Sequence, residues 1–435
     1  MKKAISRLRR DSFIKNSLIF FAGSLIVAIV NYAYYPVMSR VLSVEDFGEV
    51  QVIATIVLQI TIVLNVFGYI TINLFTNLKD REMCRKRVRE LEGAALTIAA
   101  GLSLAALLFG GYIDAYLKFS SILVLVSLAL IFIINVPFTI KNGWLQANNR
   151  FIDMSLAQFI AAAAKLLLAI PLILIGLKVS GALFGLVAAT LFALVYVSYR
   201  AKANIRLRDH IKENYFKLIL KDGDLKKDLL YGLLIFLALF SINLLYSADV
   251  IIVRRFFSTT DSGLYSGIAS IGRIIFFSTF AISDVLLPAV KIKGAAKDNA
   301  KNLQKALFIT ILLGGFALLL FYLEPQLIIR ILIGKNYLAY SGLLSKVGLF
   351  ILLASILNVL FVYGIALRKM FISAIGPIAA ISVFVVSYLN NASIDSIINN
   401  FIAVNAVALL ATAGYLVVAH KKISRSNATI PAEAS

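Results

Sequence analysis

The chain contains a nine-residue pattern that occurs twice, once in each half. The pattern runs from Arg40 to Gly48 and again from Arg255 to Gly263, and Arg, Ser, Asp and Gly hold the same relative positions in both. Each copy follows one long apolar run and precedes the next. An apolar chain that repeats itself at half its length is typical of membrane transporters built from two related bundles. The pattern therefore predicts two halves of similar fold.

The composition indicates an integral membrane protein. Hydrophobic residues make up 60% of the chain and its mean hydropathy is +0.90, whereas soluble domains contain roughly 45–50% apolar residues. The 435 residues suffice for about a dozen spans of ~20 residues with short connections. The longest polar stretch, 200–228, reads as a basic amphipathic connector rather than a soluble domain.

Charge, cysteine and histidine usage argue against other classes. The net charge is +21, but the basic residues lie between apolar runs, which indicates membrane topology and contact with anionic lipids rather than nucleic acid. Cys84 is the single cysteine, so no internal disulfide can form. His210 and His420 are far apart in sequence and no metal-ligand spacing is present. We therefore expect neither a metal nor a cofactor.

Twelve apolar runs predict an all-α integral membrane protein with twelve transmembrane helices in two six-helix bundles. Because each half holds six spans, both halves begin on the same side, and a pseudo-two-fold axis along the membrane normal would relate them. Gly181 and Gly185 have the spacing of a close helix–helix contact. The predicted spans are 16–39, 47–74, 91–112, 121–144, 152–176, 179–199, 229–253, 263–289, 303–323, 341–365, 370–390 and 395–419. The predicted domains are an N-terminal bundle 1–205, a basic cytoplasmic linker 206–228, a C-terminal bundle 229–420 and a cytoplasmic tail 421–435.

Lysine and arginine residues are shared unequally between the two sides of the predicted membrane. The N-terminus, the even-numbered connections and the C-terminus hold most of them, including Arg85–Arg87 and the 200–227 segment. By the positive-inside rule these parts face the cytoplasm. We therefore predict that both termini are cytoplasmic.

Three stretches of the chain are similar to a known family. Met38–Glu49 is similar to the S-R-x-L-x-x-x-D-[FY]-G signature after that family's first span, and Leu145–Phe151 to a stretch after its fourth. Asp249–Val253, followed by Gly263–Tyr265, is similar to its seventh and eighth spans. On these residues the chain resembles the Wzx-type polysaccharide flippases of the multidrug/oligosaccharidyl-lipid/polysaccharide exporter superfamily.

The resemblance implies a carrier rather than an enzyme. Its substrate would be a polyprenyl-pyrophosphate-linked oligosaccharide repeat unit, moved across the bacterial cytoplasmic (inner) membrane for O-antigen, capsule or exopolysaccharide assembly. The partners implied are this lipid-linked oligosaccharide, anionic membrane lipids, and a polysaccharide polymerase with its chain-length regulator, without nucleic acid. Alternating access coupled to H⁺ or Na⁺ would drive the movement.

Basic residues are the candidate partners of the pyrophosphate. Lys165 and Arg273 lie near the middle of predicted spans, where a charge costs on the order of 2.5–3.5 kcal/mol on insertion scales. Such residues usually face a cavity or an ionic partner, so we expect both to bind the anion. Arg40 and Arg255 at the outer span ends, and Lys141 at the inner end of the fourth, are weaker candidates, since interfacial anchoring and the positive-inside rule also explain them.

Polar side chains within the spans are the candidate sugar contacts, although plain interhelical hydrogen bonding would use the same residue types. Asp249 and Asp284 are the candidates for ion coupling, and a capping role for Asp249 stays open. The sugar-facing candidates are Gln51, Thr55, Gln59, Asn135, Thr139, Asn142, Ser266 and Ser270.

Three alternative functions compete with this interpretation. A multidrug or toxin antiporter of the same superfamily would favour an acidic ion site within a bundle, whereas the mid-span charges here are basic. A lipid II flippase usually carries two further spans, and no apolar run follows Ala419. A membrane-embedded polysaccharide polymerase would need catalytic acids or a sizeable outer loop, which the sequence does not indicate.

Overall fold

The computed structural model describes residues 12–77, 80–201, 223–290, 296–367 and 371–428, and every regular element in these ranges is a helix. Helices are expected because a bilayer offers no hydrogen-bond partners to the backbone, so a spanning segment must satisfy its amides internally. The predicted all-α class is confirmed. The chain divides into two compact units between Leu233 and Leu234.

The N-terminal unit contains seven described α-helices and part of an eighth. They are α1 (Ser12–Val41), α2 (Val44–Asn77), α3 (Arg81–Leu108), α4 (Gly110–Leu117), α5 (Ile122–Ala147), α6 (Phe151–Leu172), α7 (Lys178–Ala201) and the start of α8 (Gly223–Ser247). The C-terminal unit takes the rest of α8. It continues with α9 (Asp249–Phe256), α10 (Thr259–Ala289), α11 (Ala296–Leu323), α12 (Pro325–Leu332), a 3-10 segment (Lys335–Leu343), α13 (Leu344–Ala366), α14 (Ile372–Leu389) and α15 (Ile394–Ala428).

The ends of the predicted domains fall partly outside these ranges. Most of the predicted linker, 206–222, is not among the described residues, and its last six residues belong to α8. The first part of the predicted tail, up to Ala428, continues α15, and 429–435 lies outside the described ranges. The domain bounds themselves stay predictions.

The helix boundaries reproduce the sequence repeat. α3 and α11 have 28 residues each and begin at Arg81 and Ala296, which keeps the spacing between the two copies of the pattern. α4 and α12 have eight residues each and begin at the same spacing. The offset then changes, since α5 and α13 end at Ala147 and Ala366. The two halves of the chain therefore follow one helix plan through α4 and α12, except that the counterpart of the single helix α1 is broken into α8 and α9.

The repeated nine-residue pattern forms a helix start in each unit. The Ser43 hydroxyl accepts from the Asp46 backbone N–H at 3.1 Å, and the Ser258 hydroxyl accepts from that of Asp261 at 3.0 Å. A serine at this position satisfies an amide that the first turn of a helix leaves unpaired. The recurrence of Ser thus has a structural cause, the capping of the second long helix of each unit. The Asp of each copy lies in the first turn of that helix, where a negative charge is favourable.

The predicted fifth and sixth spans form a tight hairpin. The 51-residue apolar stretch Phe151–Ala201 is far longer than the ~20 residues that cross a bilayer, and it turns at Gly176 (φ 96°) and Lys178 (φ 44°). A Cβ on Gly181 would lie 2.9 Å from the Leu172 carbonyl carbon, and one on Gly185 would lie 2.8 Å from the Ala169 nitrogen. The predicted close packing at this glycine pair is confirmed.

The number of membrane spans is a separate question from the fold class. Within the described ranges, eight helical stretches are long and apolar enough to cross a membrane, or nine if α8 and α9, bent by 51°, form one broken span. One of the eight is the hairpin stretch that holds two predicted spans, and Ala374–Leu389 is a shorter apolar helix. The protein is therefore multi-pass, and the number twelve stays a prediction.

α2 and α5 cross at two glycines, which allows their backbones to approach closely. A Cβ on Gly143 would lie 2.7 Å from the carbonyl oxygen of Gly68. The crossing has no room for a methyl group at residue 143. By contrast, a Cβ on Gly101 in α3 would meet nothing within 4 Å.

We predict that Gly143→Ala destabilises the protein by about 1–3 kcal/mol, because a backbone carbonyl cannot move aside cheaply. Gly101→Ala is the matched control and should be neutral or slightly stabilising, since alanine is the better helix former. Thermal unfolding of the purified protein in detergent, followed by circular dichroism, measures both. Equal unfolding temperatures for the two variants would contradict the close crossing.

Candidate functional site

Lys165, near the middle of α6, is held by uncharged groups. Its ammonium donates to the Asn31 side-chain oxygen at 3.0 Å and lies 4.3 Å from the centroid of the Tyr34 ring, both on α1. The ion pairs among the described residues involve other cations. An amide oxygen and an aromatic face stabilise a cation without cancelling its charge. Among the described residues, Lys165 therefore has no carboxylate to neutralise its ammonium group.

Three tyrosines of α1 lie in sequential ring contact, and one of them, Tyr34, contacts Lys165. The Tyr34 and Tyr35 rings are 6.0 Å apart, and Tyr35 and Tyr32 are 6.1 Å apart. The Tyr32 hydroxyl is buried and has no hydrogen-bond partner among the described residues. We call Asn31, Tyr32, Tyr34, Tyr35 and Lys165 the Lys165 cluster. It offers a cation, a hydroxyl donor and aromatic faces at one place in the membrane-embedded part.

Arg273, by contrast, is neutralised within the C-terminal unit. Its guanidinium Nη2 donates to Asp249 Oδ1 at 2.9 Å and to the Ser247 carbonyl oxygen at 3.2 Å. The Tyr265 hydroxyl donates to the other carboxylate oxygen of Asp249 at 2.7 Å. Arg273 is 7% exposed and Asp249 is fully buried. The anion-binding role predicted for Arg273 is not tested by this geometry, but its charge already has a partner.

The Arg273 contacts lie at the break between α8 and α9. Ser247 is the last residue of α8 and Asp249 is the first of α9, and the two helices meet at 51°. A helix end leaves carbonyl groups without intrahelical partners. Arg273 supplies one of these missing donors and binds the carboxylate beyond the break. The side chain of Asp284, the second ion-coupling candidate, lies outside the described part of the chain.

The candidate residues at the membrane faces differ in burial. Lys141 is buried and forms a 3.1 Å ion pair with the equally buried Glu92. Arg40 is exposed and donates to the Pro36 carbonyl oxygen at 2.8 Å. Arg255 lies half-buried in the last turn of α9. Access from solvent is therefore greatest at Arg40, and Lys141 is committed to an internal partner.

Some sugar-facing candidates spend their hydrogen bonds on their own helices. The Thr55 hydroxyl donates to the Gln51 carbonyl at 2.9 Å, and the Asn135 amide to the Ile131 carbonyl at 2.8 Å. The Ser270 hydroxyl donates to the Gly267 carbonyl at 2.7 Å. For the two hydroxyls, such a back-bond uses the single donor and leaves acceptor capacity for another group. The Asn135 side-chain amide has a second N–H and an oxygen besides.

Other candidates keep buried polar atoms without a partner among the described residues. These atoms are both amide atoms of Gln51, the Asn142 side-chain oxygen and the Ser266 hydroxyl. Gln59 is buried, and the methyl group of Thr139 packs at Gly68. A buried polar atom normally has a partner. Gln51, Asn142 and Ser266 are therefore the sugar-facing candidates whose atoms call for water or a polar ligand.

Sequence reasoning missed several ion-pair partners. Glu92 was not considered, although it lies in the predicted third span. Asp153 binds Arg150 and Arg200, each at 2.6 Å, and accepts from the Tyr196 hydroxyl at 3.3 Å. The three-residue spacing of Arg150 and Asp153 on a helix signals this pair, whereas the distant partners leave no local signal. Within the described ranges no group of three or more His, Cys, Asp or Glu side chains is placed to hold a metal.

Comparisons with known proteins give one family and one fold. Residues 13–291 match the model of the family described as Polysaccharide biosynthesis protein. Similar solved structures include the lipid II flippase MurJ in an inward closed conformation (15% identity, TM-score 0.69, covering 92% of this chain and 87% of that one). An inward-facing multidrug resistance MATE family transporter of the MOP superfamily is also similar (13%, 0.66, 93% and 96%). So is the eukaryotic MATE transporter AtDTX14 (10%, 0.63, 96% and 99%). None of the curated protein sequences is similar enough to count as a match.

We predict that Arg273→Ala lowers the free energy of unfolding by about 3–5 kcal/mol, because it leaves the buried carboxylate of Asp249 without its counter-charge. The exposed pair of Lys346 and Asp395, 2.6 Å apart, is the control, and Lys346→Ala should cost no more than about 1 kcal/mol. Arg273→Leu with Asp249→Leu should cost less than the two single changes together. Thermal unfolding in detergent measures all of these, and an Arg273→Ala variant as stable as Lys346→Ala would refute the pairing.

Proposed function

We propose a transport function from one premise: the chain belongs to the polysaccharide biosynthesis protein family. The protein is a flippase that carries polyprenyl-pyrophosphate-linked oligosaccharide repeat units across the bacterial cytoplasmic (inner) membrane. The units feed O-antigen, capsule or exopolysaccharide assembly. Both termini face the cytoplasm, in keeping with the distribution of Lys and Arg.

The observation that carries this proposal is the charge of Lys165. A diphosphate brought into a bilayer needs a cation that an internal carboxylate has not already neutralised. Lys165 meets this condition, since its described partners are an amide oxygen and an aromatic ring. A flexible ammonium is also a common phosphate ligand. Lys165 is therefore the proposed first contact of the pyrophosphate.

The remainder of the Lys165 cluster suits the rest of such a substrate. The buried Tyr32 hydroxyl lacks a described partner and can donate to a phosphate oxygen or accept from a sugar hydroxyl. The tyrosine rings offer flat apolar faces next to a polar edge. Within the N-terminal unit, the partnerless atoms of Gln51 and Asn142 are the proposed amide contacts for sugars. The Ser266 hydroxyl is a separate candidate within the C-terminal unit.

Ion coupling is proposed at the Asp249 carboxylate. This carboxylate pairs with Arg273 and accepts a hydrogen bond from the Tyr265 hydroxyl. Binding of a proton or Na⁺ to Asp249 would therefore weaken its ion pair with Arg273. The arginine would then be available to an anion in one state and committed to Asp249 in the other. Asp284 is the second candidate. Alternating access follows if the two states differ in which membrane face the substrate site meets.

The partners proposed are those that the transport step requires. A polysaccharide polymerase and its chain-length regulator would consume the exported unit, and anionic lipids would contact the basic cytoplasmic connections. The names of the similar structures leave two other cargoes in view, a drug and lipid II. The experiment below distinguishes them, because neither alternative predicts that the wild-type protein restores surface polysaccharide in a host without its own flippase.

We predict that Lys165→Gln abolishes most of the export while the protein remains in the membrane. Loss of a charged hydrogen bond costs about 1.5–3 kcal/mol, which corresponds to roughly a tenfold or greater loss of substrate affinity. The assay is surface polysaccharide in a host that lacks its own flippase but makes a substrate this protein exports. Lipid-linked units should accumulate inside, and immunoblotting gives the protein level.

Two further variants control this experiment. Lys165→Arg keeps the charge and should retain part of the export, whereas exposed Lys335→Gln removes a charge outside the cluster and should export normally. Normal export by Lys165→Gln at wild-type protein levels would overturn the proposed role. Export of a drug, or of lipid II, without rescue of surface polysaccharide would instead move the function to one of the alternatives.

A further inference from the structure

Two short helices occupy the same place in the two units. α4 (Gly110–Leu117) and α12 (Pro325–Leu332) each have eight residues, begin at equivalent positions of the repeat and directly follow a 28-residue helix. Each is separated from the next long helix by a residue with positive φ, Lys118 (53°) after α4 and Gly334 (103°) after α12. Neither is long enough to cross a bilayer. Their recurrence at one repeat position suggests a shared role.

α12 presents three different faces. Leu327 and Ile331, four residues apart, are exposed, and Ile329, about 200° from Leu327 around the helix, is fully buried against the protein. Gln326 and Arg330 form a third face, which is exposed and polar. A helix lying in the plane of a membrane interface has this arrangement, with apolar side chains toward the acyl chains and polar ones toward water.

α4 has a buried face and an exposed aromatic face. Gly110 and Leu117 are buried, whereas Tyr112 is 79% exposed and its ring lies 6.4 Å from that of exposed Phe109. Tyrosine is enriched at membrane interfaces because it combines an apolar ring with a polar hydroxyl. The exposed face of α4 therefore matches the interface in chemistry, although its side chains differ from those of α12.

The exposed faces continue the apolar surface of the helices before them. Leu104 and Leu108 at the end of α3 are exposed and lead into Phe109 and Tyr112. Tyr322 and Leu323 at the end of α11 are exposed and lead into Leu327. Membrane-spanning helices direct such residues to lipid, so the surface that meets the acyl chains extends from each long helix onto the short one.

We propose that α4 and α12 are interfacial anchors, which lie along the bilayer surface with Phe109, Tyr112, Leu327 and Ile331 in contact with the upper acyl chains. The occupant of both faces is phospholipid. α4 and α12 follow the ends of α3 and α11, and the predicted topology places these ends at the outer face of the membrane. This inference requires a membrane-embedded chain but no particular substrate, so it stands apart from the proposed transport function.

Tryptophan fluorescence in brominated lipid tests the proposal. Trp144, the single tryptophan, packs against Phe75 and is replaced by Phe. Into this full-length background, Leu327→Trp and Tyr112→Trp are introduced separately, and the proteins are reconstituted into phosphatidylcholine vesicles brominated near the top of the acyl chains. Gln326→Trp, on the polar face of the same helix, is the matched control. If Trp144→Phe reduces expression, the variants are made in the parent chain instead, and the fluorescence of Trp144 in the parent chain is subtracted from theirs.

The expected result is that tryptophan at 327 and at 112 is quenched at least about twofold more strongly by brominated lipid than tryptophan at 326, because only the first two contact acyl chains. Aqueous iodide should show the reverse order. Quenching of residues 327 and 112 by iodide, with no response to brominated lipid, would overturn the proposal. Such a result would mean that these faces meet water or a protein partner.

Discussion

A charge placed inside a membrane-spanning helix needs a partner, and this requirement organises both units of the protein. In the C-terminal unit Arg273 is bound to Asp249, and in the N-terminal unit Lys141 is bound to Glu92. Removal of one member of such a pair leaves a buried charge and costs several kcal/mol. Lys165 departs from this rule, since Asn31 and Tyr34 hold it without cancelling its charge. An anionic ligand would give Lys165 the counter-charge that Arg273 and Lys141 already have.

The internal repeat preserves the helix plan but not the charges. Tyr34 and Asp249 hold equivalent positions in the repeat, and each contacts the mid-span cation of its own unit, Lys165 or Arg273. The cations themselves are not related by the repeat, because Leu58 stands at the position equivalent to Arg273. One position in the plan has thus become an aromatic contact in one unit and a carboxylate in the other. Because of this difference, we attribute anion binding to Lys165 in the N-terminal unit and ion coupling to Asp249 in the C-terminal unit.

Local patterns in the sequence predicted much of the fold. The apolar runs and the spacing of Gly181 and Gly185 depend on neighbours within a few residues, so periodicity and residue type reveal them. The number of spans is harder to obtain from local patterns. α8 and α9 are separated by a bend that no proline or glycine marks, and α14 is short.

The candidate site was less predictable because it depends on how each helix is rotated about its axis. The sequence identifies both Lys165 and Arg273 as mid-span cations, but it contains no signal that distinguishes them. Their difference arises from partners 134 and 24 residues away in the chain, Asn31 and Asp249. The pairing of Lys141 with Glu92 spans 49 residues and was missed for the same reason. Chemical type was therefore readable from the sequence, whereas availability of the charge was not.

The most direct test of the central claim is equilibrium binding of a polyprenyl diphosphate, without its sugars, to the purified protein in lipid nanodiscs. The account predicts that wild-type protein binds the diphosphate in preference to the uncharged prenol, and that Lys165→Gln weakens this binding by about tenfold, the loss of one charged hydrogen bond. Thermal unfolding of each sample confirms that the variant is folded. Unchanged diphosphate affinity in a folded Lys165→Gln protein would contradict the account, because Lys165 would then not be the residue that binds the diphosphate.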